Sequence, residues 1–397
     1  MDIHGVILIF SARIIKMTEK LYFKDAYIKE FTAKVLSVSE RGGKFAVVLD
    51  KTAFFPEEAG QSADRGCIGE ISVVAVYENG GVIEHVTESP INVGESVLCR
   101  LDFSERFEKM QNHTAEHIVS GLIHKLFGLD NVGFHLGREE VTIDVNGVLE
   151  RADLDRVETL ANQAVFENVE VVSSFPSPEK LSEIEYRSKL DLTENVRIVT
   201  VGEYDTCACC APHVARTGEI GLIKLLDFMK HRGGTRIRML AGSRALLDYR
   251  DKFKNIQEIS AMLSLPQSES AEGLRAYMSA AMQTEYKLKN ALLKIIELEA
   301  DRIEPTDKNL VVFLKDLSLD EARELVNKAL HKVSGVLVAL VGEENNYKYV
   351  MASEKLDMRE VVKAANAALS GKGGGKPPMM QGSFCSTLSD INEYFAK

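Results

Sequence analysis

No apolar run in this sequence approaches the roughly eighteen residues that a membrane-spanning helix needs, which argues against a helical membrane class. Nor is there a surplus of positive charge. The formal net charge is −11, so general attraction to nucleic acid is excluded and any RNA contact must come from local basic patches. The six cysteines, at positions 67, 99, 207, 209, 210 and 385, lack the spacing of a disulfide framework, and a reducing cytoplasm fits them best. No internal repeat or long low-complexity stretch occurs. The opening "HGVILIFSARIIK" has no positively charged leader and no clear small-residue cleavage site, so it is not read as a signal peptide. Residues 1–16 read instead as an extension ahead of Met17, either from an upstream start or as a short extra strand.

What is present is an ordinary soluble composition, 45% hydrophobic and 27% charged, over 397 residues. That length exceeds one core, so an α+β multidomain chain is expected. Residues 17–103 hold short strands, "FTAKVLSVSE", "KFAVVLD", "ISVVAVYE" and "GVIEHVT", between turn signals, and predict a small N-terminal β-barrel. Residues 104–242 mix helices and strands and predict a two-layer α/β domain. Residues 243–305 read as a helical linker broken near Pro266. Its second half places Leu274, Met278, Ala281, Leu288, Leu292 and Ile295 along a seam, for a helical hairpin, a dimerising coiled coil, or a helix lying on its own domain. Residues 306–397 predict a compact α/β domain with a capping box at Ser318 and Glu321 and a closing glycine-rich loop, "GKGGGKPPMMQGSF".

Chemistry concentrates in two places. In "EKMQNHTAEHIVSGLIHKLFG", His113 and His117 lie one turn apart on a helix, their rings within roughly 40° of each other, so both can reach one ion. Ile118, Leu122, Ile123 and Leu126 form a buried flank, with the imidazoles at its edge. The alternative is two ordinary polar residues at a helix surface. In "YDTCACCAPHVARTGEIG", thiols and an imidazole crowd together, and a turn at Pro212 lets Cys209 and His213 converge. A His-x-x-x-His pair and a Cys-x-x-x-His pair are the two halves of a tetrahedral zinc site. The alternative here is a reduced cysteine cluster beside an unrelated histidine.

Together, "HTAEH" and "CCAPHVARTGEIG" resemble the zinc motifs of the editing domain of alanyl-tRNA synthetase. The earlier "DKTAFFPEEAGQSADRG" is similar to the "TxFYPEGGGQxxDxG" signature of that family. The late "GGGKPPMMQGSF" resembles the "GGGxPxxAQ" loop of its DHH-associated domain. No aminoacylation domain precedes these motifs, so the chain resembles a free-standing alanyl-tRNA editing protein, the AlaX type in its long form. It departs from the pattern at Glu58 and Ala59, which replace glycines, and at Glu116, where the synthetase often has threonine.

The resemblance implies a zinc-dependent editing domain over 104–242 and a DHH-associated-like domain over 306–397. It implies one Zn2+ per chain on His113, His117, Cys209 and His213, and hydrolysis of the ester joining serine or glycine to alanine tRNA. Zinc would polarise a water or hold the aminoacyl group. Gln61 and His135 are the expected substrate-binding residues. No general base is identified; Glu116, at the site's rim or in solvent, and His135 are the candidates. For RNA, "MKHRGGTRIRMLAGSR" offers Lys230, Arg232, Arg236, Arg238 and Arg244, with Arg236 and Arg238 on one strand face, and the glycine loop offers Lys372 and Lys376. The implied partner is tRNA(Ala), with a homodimer through the helical linker or the C-terminal domain. Two other readings stay open: an RNA-binding module with structural zinc, and a zinc hydrolase of a small aminoacyl ester.

Overall fold

The computed structural model describes residues 17–137, 141–188 and 195–397. The expected N-terminal extension, 1–16, lies outside the described residues. The chain divides into two compact units, Met1–Asn255 and Ile256–Lys397.

In the first unit, six strands close into a barrel: Glu30–Arg41, Lys44–Leu49, Gly66–Ile68, Ile71–Asn79, Val82–Thr87 and Ser96–Leu101. Side chains alternate between solvent and interior along Ser96–Leu101, as a period of two requires. The interior is filled by Phe31, Val35, Val47, Leu49, Phe54, Phe55, Val76 and Ile83. Between Asn79 and Val82 the hairpin is closed by Gly80 and Gly81, both at positive φ (56° and 82°), the backbone that a two-residue turn between twisted strands favours.

The helix α1 (Phe103–Phe127) starts at Asp102, whose side chain accepts the Glu105 N–H, and stops at Gly128 in the left-handed conformation (φ 67°). Together with α2 (Arg151–Glu167) it packs on a four-stranded antiparallel sheet, in the order Ile223–His231, Gly234–Ala241, Val141–Val145, Asn131–Leu136. Ile118, Val119 and Ile123 meet Val157, Ile143, Ile237 and Met239 in this core. A smaller three-stranded sheet holds Val171–Ser174, Ile198–Val201 and Asp205–Ala208, with the short α3 (Pro178–Leu181) between its first two strands.

One expectation for α1 is corrected. The imidazoles do not sit at the edge of a buried flank, because every residue from Lys109 to Ile123 is buried. Polar residues survive inside because each finds a partner. Arg106 pairs with Asp64 and also donates to the Ala26 and Ala53 carbonyls. Asn112 both donates to and accepts from the backbone of Ala241. Lys109 donates to the Ala63 carbonyl.

The long helix α4 (Gly242–Leu263) contains the division between the units, and the chain breaks at Ser264–Pro266 as expected. In the second unit, α5 (Ser270–Arg302) precedes a five-stranded sheet ordered Leu310–Phe313, Leu337–Glu343, Asn346–Ala352, Met379–Phe384, Lys372–Lys376. The helix α6 (Leu319–Ala329), capped by the expected Ser318–Glu321 box, and the end of α5 cover one face. The helices α7 (Met358–Ala368) and α8 (Leu388–Ala396) cover the other.

Two expectations differ here. The glycine-rich stretch is no loop: Lys372–Lys376 pairs antiparallel with Met379–Phe384 around Pro377–Pro378, and α8 follows. The α5 seam does not lie on its own domain either. Leu274, Met278, Leu288 and Ile295 are 44–58% exposed, and only Ser270, Ile296 and Ala300 of this helix are buried. Among the described residues no helix is long and apolar enough to cross a membrane.

Candidate metal centre

Two segments far apart in sequence deliver the donors. The helix α1 carries His113 and His117, and the strand Asp205–Ala208 runs directly into Cys209 and the turn to His213. Ligand atoms of these four residues all lie within 4.8 Å of one another. The Cys209 Sγ is 3.6 Å from His113 Nε2 and 3.4 Å from His213 Nε2. A tetrahedral zinc with bonds of about 2.3 Å to sulfur and about 2.0 Å to nitrogen sets that separation near 3.5 Å, so the donor set fits the ion.

The fit extends to the outer nitrogens. His113 Nδ1 meets Gln61 Oε1 at 2.9 Å, His117 Nδ1 meets Asp205 Oδ2 at 2.9 Å, and His213 Nδ1 meets Thr114 Oγ1 at 3.1 Å. The Thr114 hydroxyl gives its single proton to the Met110 carbonyl (2.8 Å), so it accepts from His213. Each imidazole thus donates Nδ1–H outward and turns its Nε2 lone pair inward, the orientation that metal-bound histidines take. Arg197 donates to the carbonyls of Cys209 (3.0 Å) and Ala211 (2.9 Å) and holds the turn.

Electrostatics separate the three thiols. Burial alone would raise Cys209, but the imidazoles of His113 and His213 outweigh it and hold this thiol well below its usual range. Burial pushes Cys207 up to about 11 and raises Cys210 further. Among the three, Cys209 is the one whose surroundings favour the thiolate that binds metal. Burial also lowers His213 to about 3, which keeps it neutral. Burial lowers His117 as well, but its bonds to Asp205 and Cys209, with the charges of the nearby thiols, together outweigh that and raise it well above its usual value. His117, Asp205 and Cys207 form a second close group. There the carboxylate is already engaged, as Arg187 binds both its oxygens.

Gln61 arrives through the tight turn at Glu58–Gln61. Ala59 (φ 53°) and Gly60 (φ 74°) are both left-handed, so the alanine that departs from the glycine pattern sits in a backbone conformation glycine would hold more easily. At Gly60 no substitution fits: a Cβ would lie 2.5 Å from the Phe134 carbonyl. The Gln61 side chain is buried, and its Nε2 has no hydrogen-bond partner. The Phe134 ring stands 4.8 Å from that of His113.

The other expected residues lie outside the donor cluster. Glu116 is neither solvated nor bonded to the histidines; it is buried and accepts from Ser120 Oγ and Asn131 Nδ2, each at 2.5 Å. His135 is exposed and paired across the sheet with Thr142. Strand alternation puts it on the face opposite Phe134, so it does not join the donors. Arg236 and Arg238 do share a strand face, but each is engaged by a carboxylate, Asp144 at 2.6 and 2.7 Å and Asp227 at 2.8 and 2.6 Å. Arg232 is exposed in the turn between the two strands, and in the second unit Lys372 and Lys376 end the exposed glycine strand.

Sequence reasoning passed over Asp205, Thr114, Phe134 and Arg187. Two of them carried a signal, Asp205 inside "YDTCACC" and Thr114 inside "HTAEH".

Comparison with known proteins matches two segments of the chain to described domains. Residues 196–239 match the second additional domain of threonyl and alanyl tRNA synthetases, and residues 306–396 match the DHHA1 domain. The class is therefore a multidomain α+β chain that joins these two modules. Within that class, the chain resembles the free-standing alanyl-tRNA editing proteins of the long AlaX form. It is 28% identical to the alanyl-tRNA editing protein AlaX-L of Pyrococcus horikoshii over 92% of this chain and 94% of that one. It is 27% identical to the alanyl-tRNA editing protein Aarsd1 of Mus musculus over 90% and 92%. It is also 30% identical to the alanine-tRNA ligase of Pyrococcus furiosus over 92% of this chain, but spans only 42% of that enzyme. Among solved structures, the C-Ala domain of Aquifex aeolicus alanyl-tRNA synthetase aligns with 24% of this chain at 15% identity, with a TM-score of 0.21.

Proposed function

We propose that this protein is a trans-acting hydrolase that removes serine, and glycine, from mischarged tRNA(Ala) at a site holding one Zn2+ on His113, His117, Cys209 and His213. The observation that carries the reading is the end-to-end similarity to a free-standing alanyl-tRNA editing protein, 92% of one chain against 94% of the other. A hydrolytic second sieve answers a physical need. One methyl group separates glycine from alanine, and an apolar pocket rejects an added hydroxyl weakly.

Bound there, zinc would supply Lewis-acid polarisation or fix the aminoacyl group. The protein's own groups do the rest. Gln61 orients His113 through Oε1 and keeps its buried Nε2–H free to donate to a substrate carbonyl. Phe134 packs against the His113 ring and walls that side of the site. Glu116, immobilised by Ser120 and Asn131, is a fixed acceptor within one turn of both histidines and our candidate for moving a proton. The exposed Lys372 and Lys376, with Arg232, are proposed contacts to the tRNA backbone. The exposed seam of α5 is proposed to pair with a second copy. A cytoplasmic location follows from this substrate and the free cysteines.

Four protein donors saturate a tetrahedral ion, which favours a second reading, an RNA-binding module with structural zinc. Incubation with serine- and alanine-charged tRNA(Ala), with and without a chelator, separates the readings. Selective, chelator-sensitive loss of serine supports hydrolysis. Binding of tRNA without deacylation supports the module. Equal rates on any tRNA, or on free aminoacyl esters, point to a small-ester hydrolase.

A further inference from the structure

His117 is the donor with the most heavily built outer partner. Its Nδ1 lies 2.9 Å from Asp205 Oδ2, and both side chains are almost fully buried (3% and 1% exposed). Asp205 does not stand alone. Arg187 donates through Nε to Oδ1 at 2.7 Å and through Nη2 to Oδ2 at 2.9 Å, a planar fork gripping both carboxylate oxygens. The guanidinium is delivered by backbone pairing. The Arg187 N–H donates to the Thr206 carbonyl and the Ala208 N–H donates to the Arg187 carbonyl, each at 2.9 Å, so residue 187 is in register with the strand that leads to Cys209.

We infer that Arg187 and Asp205 form a positioning pair, a relay that fixes the tautomer and ring plane of His117 so that Nε2 faces the metal. The inference rests on the zinc reading above and adds residues that the motif did not supply. With one Oδ2 lone pair held for His117 and one lone pair on each oxygen taken by the fork, the Asp205 carboxylate is fixed in plane, and His117 is held to donation from Nδ1. The guanidinium has a second consequence. It places a fixed positive charge against the neighbouring His117–Asp205–Cys207 group, whose ligand atoms are also within 4.8 Å of one another, and so closes that group to a competing cation. One charge therefore assigns the ion to the four-donor site.

The test uses full-length protein with Asp205→Asn, Arg187→Met, Arg187→Lys and the Asp205→Asn/Arg187→Met double variant. Zinc affinity is read by competition with a chromophoric chelator, site geometry by the visible spectrum of the cobalt-loaded form, and folding by thermal melting. Loss of an outer-shell partner of a metal ligand typically costs about 10–100-fold in metal affinity. We expect Asp205→Asn and Arg187→Met each to weaken zinc in that range and to change the cobalt spectrum. Arg187→Lys, which keeps the charge but not the fork, should recover part of the loss. The double variant should lose little more than Asp205→Asn, because both changes break one relay. Variants that melt like the wild type and bind zinc as tightly overturn the positioning role, as do fully additive losses, which mark two independent structural contacts. Wild-type protein that takes up no zinc overturns the metal reading itself, and this inference with it.

Discussion

Substituting Cys209 should remove zinc binding and substituting Cys207 should leave it in place, although the two thiols are two residues apart. Cys209 Sγ lies 3.4–3.6 Å from two inward-facing imidazole nitrogens, and its surroundings favour the thiolate. Cys207 donates its S–H to the Ala208 carbonyl, and burial pushes its thiol up to about 11. An ion that binds only the folded state adds RT ln(1 + [L]/Kd), which is about 4 kcal/mol at a free concentration a thousand times Kd. At roughly 2–4 °C per kcal/mol for a unit of this size, adding zinc to the stripped protein should raise the melting temperature of the first unit by about 8–16 °C. Cys209→Ala should abolish most of that shift, and Cys207→Ala should retain it. Scanning calorimetry across a zinc titration, with elemental analysis of the loaded proteins, reads both. Equal loss of zinc and of the thermal shift in the two variants would refute the assignment of Cys209.

Three further outcomes follow from named contacts. Arg106→Met leaves Asp64 charged, buried and without its main partner, and the Ala26 and Ala53 carbonyls without donors. Breaking such a pair costs about 3–5 kcal/mol, visible as a lowered urea midpoint at unchanged slope; a change under 1 kcal/mol contradicts the burial argument. His85 is buried in the barrel between Val47 and Thr52 and is lowered from 6.5 to about 4, so below pH 6.5 the unfolded chain takes up a proton that the folded one refuses. Stability should fall by about 3 kcal/mol between pH 6.5 and 4, and His85→Gln should flatten that slope in acid titrations followed by circular dichroism. Replacing Lys372 and Lys376 with glutamine should weaken tRNA binding and reduce the salt slope by about one per lysine. An unchanged slope removes those residues from the interface.

The convergence of the four candidate donors was the most legible feature of the sequence, because a helix fixes the i, i+4 geometry of His113 and His117 whatever surrounds it. Their environment was not legible. A helix dotted with Arg106, Lys109, Gln111 and Asn112 reads as half-exposed, yet it is buried because Asp64, Ala63, Glu219 and Ala241 arrive from distant segments. The place of His135 was not legible for the complementary reason: the face a strand residue takes is set by register, and here Phe134 stands on the His113 side while His135 is exposed. The run Lys372–Lys376 read as a loop because glycine is a turn signal, but pairing with Met379–Phe384 overrides that propensity.

The partners of the histidines explain why one short motif does not make such a site. His113 is steered by Gln61 from the turn beside the barrel, His117 by Asp205 from the small sheet, and His213 by Thr114 from α1 itself. Each partner is fixed in turn: Gln61 by the Glu58 bridge, Asp205 by Arg187, Thr114 by the Met110 carbonyl. Three parts of the first unit, the turn beside the barrel, the small sheet and α1, must be in register before three Nε2 atoms and one sulfur converge. Disturbing any of them should register as a change in metal affinity before it registers as a change in fold, because a ligand turned by a fraction of an ångström still packs but no longer coordinates.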